Sequence, residues 1–106
     1  MTNAMLNKII KLFFKPNKYD RALLEKAGIC AGNHRAIITE SEFCACFHCE
    51  NKFPPKDIET WVVEENTAMC PKCGIDAVIG SDSGLPIEDS VFLKEANVFF
   101  FGKKNR

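Results

Sequence analysis

Two pairs of cysteines stand where chemistry is possible. Cys46 and Cys49 form one C-x2-C unit in "CFHC", Cys70 and Cys73 a second in "CPKC", and twenty residues separate the pairs. A C-x2-C turn points both sulfurs to one side. Backbone N–H groups just beyond it can donate to the thiolates and offset the charge of four sulfurs around one divalent ion. Two such turns at this separation are a zinc spacing. Gly74, directly after Cys73, suits a turn that needs positive φ, and Pro71 pre-sets that turn with no N–H to satisfy. Glu50 holds the matching place after Cys49, so the first turn must accept strain or pass the left-handed residue to Asn51.

The favoured chemistry is therefore a closed, structural Zn2+ on Cys46, Cys49, Cys70 and Cys73. Rubredoxin-like iron also suits "CPKCG", although "CFHCE" lacks the corresponding glycine. Thiol redox chemistry is favoured by a lone C-x-x-C beside a βαβ pattern, and no such pattern is visible. Buried free cysteines would explain neither the spacing nor Gly74. Four thiolates around zinc leave no open position for a substrate, and no Ser/His/Asp pattern, glycine-rich phosphate loop or H-E-x-x-H accompanies them. The sequence thus leans away from an enzyme and names no catalytic residue.

Other candidates surround the pairs. Cys44 is expected near the metal but unbound, and Cys30 in the core. His48 reads as an exposed knuckle residue, with occasional metal ligation as the alternative. His34 could cap a helix, meet the knuckle or pair with a carboxylate; Asp76 reads as a local turn residue, and Trp61 as core.

Helices and short strands must position these residues. Met5, Leu6, Ile9, Ile10, Phe13 and Phe14 recur at helical spacing until Pro16 stops them. An Asp20 cap opens a second helix through Leu23, Leu24 and Ala27 that ends near Gly28. Asn33 is placed to cap a short third helix over Arg35 to Ile38. Pro55 suits a first helical position, with Ile58, Trp61 and Val62 on one apolar face of a helix between the cysteine pairs. "IDAVIG" reads as a strand, and a last helix runs from Pro86 through Ile87, Val91 and Phe92, before the run Val98 to Phe101. The expected fold is α+β: a small zinc-ribbon-like β subdomain with two C-x2-C knuckles, an N-terminal helical segment, an interposed helix and a C-terminal helix. Residues 1–35 form the helical segment and 36–106 the ribbon-like domain.

At 106 residues, 46% hydrophobic and 26% charged, the chain has the size and composition of one soluble domain. Its net charge is zero but unevenly spread. Residues 1–35 hold seven Lys/Arg against two Asp/Glu, and residues 36–101 hold four against twelve. The cysteine-rich part is acidic, which counts against a phosphate backbone as its partner. Lys8 and Lys11 interrupt any signal-peptide core, no stretch approaches about 18 apolar residues, and six cysteines suit metal chemistry in a reducing compartment. A cytoplasmic address is expected.

The stretch "CACFHCENKFPPKDIETWVVEENTAMCPKCGIDAVIG" resembles a family of small, uncharacterised bacterial cytoplasmic proteins. The shared pattern is C-x-C-F-x-C, then F-x-P-x-x-I-x-x-W, then T-A-x-C-P-x-C-G-I-D-x-V-I-G. Cys44, Cys46, Phe47, Cys49, Phe53, Pro55, Ile58, Trp61, Thr67, Ala68, Cys70, Pro71, Cys73, Gly74, Ile75, Asp76, Val78, Ile79 and Gly80 fall on it. "NHR" at Asn33–Arg35 belongs with it, and the likeness spans residues 33–101. It implies a bacterial zinc-ribbon-like protein and transfers no catalytic residue.

The function these features suggest is a zinc-stabilised binding module for another protein or a second copy of this chain. A nucleic-acid-binding zinc ribbon is the alternative. The basic, amphipathic stretch before Pro16 could lie on a membrane surface, but packing on its own domain or on a second copy is the favoured reading.

Overall fold

The structure is a computed structural model that describes residues 17–102; the helix expected over residues 5–14 lies outside them. Helix α1 (Arg21–Cys30) starts where predicted, because the Asp20 carboxylate accepts the Leu23 N–H at 2.9 Å. It buries Leu24 and Ala27 and runs two residues beyond Gly28. Helix α2 (Arg35–Glu40) is capped in position by His34 rather than Asn33. Asn33 instead takes a left-handed φ of 45°, and its N–H is donated to Thr67 Oγ1 at 2.9 Å. Helix α3 (Ser90–Phe101) begins later than Pro86 suggests, at an Asp89 cap that accepts the Val91 N–H at 2.9 Å. It takes in the whole run Val98 to Phe101 and ends at Gly102, whose φ of 81° costs glycine little.

Three short strands carry the first cysteines. Strand β1 (Cys44–Cys46) is central, with β2 (Lys52–Phe53) and β5 (Val78–Gly80) antiparallel on its two sides. Cys44 opposes Phe53 and Gly80, and Cys46 opposes Val78. All three β1 residues are fully buried. Gly80 is required by close packing, since a Cβ there would collide with the Ser41 side chain. Ser41 Oγ donates to the Ile37 carbonyl and accepts the Asp82 N–H, which ties α2 to the turn after β5.

The helix expected between the cysteine pairs is absent. Pro55–Asp57 make one 3-10 turn, and Ile58 then turns extended, with φ −76° and ψ 120°. Trp61–Val62 (β3) pair with Thr67–Ala68 (β4) as a separate two-stranded antiparallel hairpin. β-branched Ile58, Thr60, Val62 and Thr67 favour extended backbone, and Asn66 closes the hairpin with a φ of 49°. The architecture is thus α+β, with three helices and two small antiparallel sheets among the described residues. None of the described helices is long and apolar enough to cross a membrane.

The core joins these parts. Phe92, Leu93 and Ala96 of α3 are fully buried with Leu24 and Ala27 of α1 and Val78 and Ile79 of β5. α3 lies close against α1, and the Phe100 ring occupies the space where a Gly28 side chain would stand.

Candidate metal centre

The sulfurs of Cys46, Cys49, Cys70 and Cys73 all lie within 4.8 Å of one another. They pair crosswise: Cys46 Sγ is 3.7 Å from Cys73 Sγ, and Cys49 Sγ is 3.7 Å from Cys70 Sγ. These separations are far longer than the about 2.05 Å of a disulfide, and all six cysteines are free. Sulfurs about 2.3 Å from a central zinc stand about 3.8 Å apart at the corners of a regular tetrahedron. The donor set therefore fits a tetrahedral, thiolate-preferring ion.

The two turns that deliver the sulfurs have the same backbone hydrogen bonds. Cys46 N–H is donated to Asn51 O and Glu50 N–H to Cys46 O, at 3.0 and 2.7 Å. Cys70 N–H is donated to Ile75 O and Gly74 N–H to Cys70 O, at 3.0 and 2.9 Å. In each turn the N–H two residues on points at the first sulfur: His48 to Cys46 at 3.4 Å, Lys72 to Cys70 at 3.3 Å. Cys73 N–H also reaches Cys70 Sγ, and the Asn51 side-chain amide reaches Cys49 Sγ at 3.3 Å. Such donors stabilise thiolate, the form that binds metal.

The left-handed residue falls at the same place in both turns, Gly74 with φ 82° and Glu50 with φ 65°. Of the two expectations for the first turn, strain at Glu50 is the one realised. Burial pushes the Cys46 and Cys73 thiols up. Burial raises Cys49 as well, but its donors from Asn51 and the neighbouring thiols outweigh that, and its pKa is lowered.

The remaining candidates divide clearly. Cys44 lies on β1 outside the four-sulfur group, wholly buried, with its thiol pushed up to about 11 by burial. Cys30 is half-buried at the end of α1 and packs against the core. Asp76 is exposed. His48 departs from expectation: it is half-buried, its ring edge-on to Phe101 at 4.7 Å, because the C-terminal end of α3 packs over the first turn. Asn97 from α3 donates to the His48 carbonyl at 2.7 Å. His48 Nδ1 and Asn97 Oδ1 are buried without a hydrogen-bond partner among the described residues.

His34 neither meets the metal group nor pairs with a carboxylate. It is buried, with Nδ1 2.7 Å from Cys30 O and Nε2 accepting the Ala68 N–H at 2.9 Å. That pattern assigns the proton to Nδ1 and fastens the end of α1 to β4, two residues before Cys70. Burial lowers the His34 pKa, against a smaller opposing pull from the Cys30 carbonyl. Trp61 also differs from its reading as a core residue on a helix. It is half-buried on β3, edge-on to His34, with the Arg35 guanidinium 4.5 Å from its ring centre.

Three contributors were missed from sequence: Asn51 at a sulfur, Asn97 at the first turn, and a surface around Trp61. A groove of about 450 Å³ there is lined by Ile38, Thr39, Pro54, Pro55, Lys56 and Trp61. Of these, the surface alone had a local signal, the adjacent prolines near a tryptophan. Comparison of the chain with known protein families, with characterised proteins and with solved structures finds no match.

Proposed function

We propose that this chain is a zinc-braced binding module whose partner is another protein. One observation carries the reading: two turns of matching hydrogen-bond pattern bring four cysteine sulfurs within 4.8 Å, with two edges at 3.7 Å. Cys46, Cys49, Cys70 and Cys73 would hold the ion, and the ion supplies a fixed link between β1 and the segment before β5. A closed thiolate set offers no place for a substrate, so the role of the ion is to brace. Zinc is favoured over iron because Glu50 stands where a rubredoxin-like first turn would carry glycine.

Recognition is the task that suits such a brace. The half-buried Trp61 with Arg35 stacked on it and the neighbouring groove supports a protein partner, since aromatic and arginine side chains dominate binding surfaces. Twelve Asp/Glu against four Lys/Arg in residues 36–101 weigh against nucleic acid. The likeness of residues 33–101 to small bacterial cytoplasmic proteins belongs to the same proposal.

Elemental analysis of purified full-length protein tests the ion, with one zinc per chain expected. Iron in its place, or no transition metal, overturns the reading. Affinity capture from lysate with wild type beside Cys70→Ala tests the role. A partner retained by wild type and lost from the variant supports it, whereas salt-sensitive retention of nucleic acid overturns it.

A further inference from the structure

Helix α3 is apolar on both of its long faces. The inner face buries Phe92, Leu93 and Ala96. Val91, Lys94, Val98 and Phe101 follow one another at steps of three and four residues, so they form one line along the outer face. Val91, Val98 and Phe101 are 40, 48 and 47% exposed. A row of large apolar side chains this exposed marks a contact surface.

The chain itself indicates the cover. Lys18 and Tyr19 donate their backbone N–H groups to the Glu95 carboxylate at 2.7 and 3.0 Å. The Lys18 ammonium lies 2.7 Å from Asp89, the Tyr19 hydroxyl donates to the same carboxylate, and the Tyr19 ring meets Phe92 edge-on. Glu95 lies four residues after Val91 and three before Val98, at the border of the exposed line. The chain preceding Lys18 therefore leaves the described structure beside that apolar stripe.

We propose that residues 5–14 of the same chain dock on the Val91–Val98–Phe101 face of α3. Their sequence supplies the complement: Met5, Leu6, Ile9, Ile10, Phe13 and Phe14 share one helical face, with Lys8, Lys11 and Lys15 outside it. As a helix, ten residues span about 15 Å, close to the about 18 Å of α3. The linking residues Lys15, Pro16 and Asn17 reach about 10 Å when extended. Glu95 to Phe101 is about 9 Å along the helix, so either end of the stripe is within reach. Attachment through so short a linker gives an effective concentration on the order of millimolar, which favours this occupant over a separate molecule.

The test places a photoreactive benzoylphenylalanine at Val98 in the full chain. Irradiation is expected to give a product of monomer mass in which peptide mapping joins residue 98 to residues 1–16. Ile9→Glu with Phe13→Glu should abolish that product while near-UV ellipticity and metal content stay unchanged. A product of twice the monomer mass would assign the face to a second copy and overturn the proposal. No link to residues 1–16 also overturns it, whether or not the protein then sediments with phosphatidylglycerol vesicles; sedimentation would assign the stretch to a lipid surface.

Discussion

In the second cysteine turn Pro71, Lys72 and Gly74 are exposed to solvent, and the backbone shape is written into proline and glycine. In the first, Phe47 is buried, its ring 5.3 and 5.8 Å from those of Phe100 and Phe101, and His48 is covered by the same helix end. The hydrogen bonds of the two turns match, yet the first places glutamate where the second places glycine. A non-glycine residue in that conformation costs about 1–2 kcal/mol. Aromatic pairs worth about 0.5–1.5 kcal/mol each and the Asn97 bond to the His48 carbonyl offset it. The same sulfur geometry is thus reached by local chain chemistry in one turn and by tertiary packing in the other.

Removing the proposed zinc is the harshest way to break this symmetry. Structural zinc contributes roughly 10–16 kcal/mol of apparent binding energy at neutral pH, comparable to the about 5–15 kcal/mol that holds a typical domain. Chelation, or Cys70→Ala, should abolish near-UV ellipticity from residues 44–80. If packing supports the first turn, hydrogen exchange after chelation should rise sooner in Lys72–Ile75 than in Phe47–Glu50. Equal rates would remove the distinction.

The anchors outside the turns come next. His34→Ala strands the buried Ala68 N–H, at about 1–3 kcal/mol for a buried group left unpaired, and takes the ring donor from the half-buried Cys30 carbonyl. Thermal melts should show a loss of several degrees, with exchange rising first around β4 and the second turn. Because its folded pKa is lowered, His34 binds protons more readily in the unfolded chain. Its contribution is complete above the ordinary value of 6.5 and is lost as pH falls through and below it. His34→Gln should remove that part of the acid slope, measured against wild type by urea unfolding at fixed zinc. Asn97→Ala should cost about 1–3 kcal/mol and raise exchange in the first turn alone.

The finest comparison exchanges the left-handed residues. Gly74→Ala meets no atom within 4 Å, so its cost is backbone strain, about 1 kcal/mol. Glu50→Gly releases strain but frees the unfolded chain, for a net gain of about 0.5 kcal/mol. Chemical denaturation should show the opposite signs; a loss from both would mean that the Glu50 side chain contributes more than its conformation costs.

These contrasts explain what could be read in advance. The sulfur set, Gly74 and the Asp20 cap were legible because their causes lie within a few residues. Ile58, Trp61 and Val62 looked helical by spacing, but strand pairing with Thr67–Ala68 decided the outcome. His48 looked exposed because nothing nearby in sequence announces the arrival of α3, about fifty residues on. The bond of His34 to Ala68 was invisible for the same reason, since Ala68 is remote in sequence and carries no polar side chain.

Cys44, wholly enclosed on the middle strand with its thiol held near 11, gives the protein an internal clock. An alkylating reagent can reach it only while the three strands are parted. The pace of its modification therefore counts those partings, on the very molecule whose four clustered thiols would report the binding of a metal.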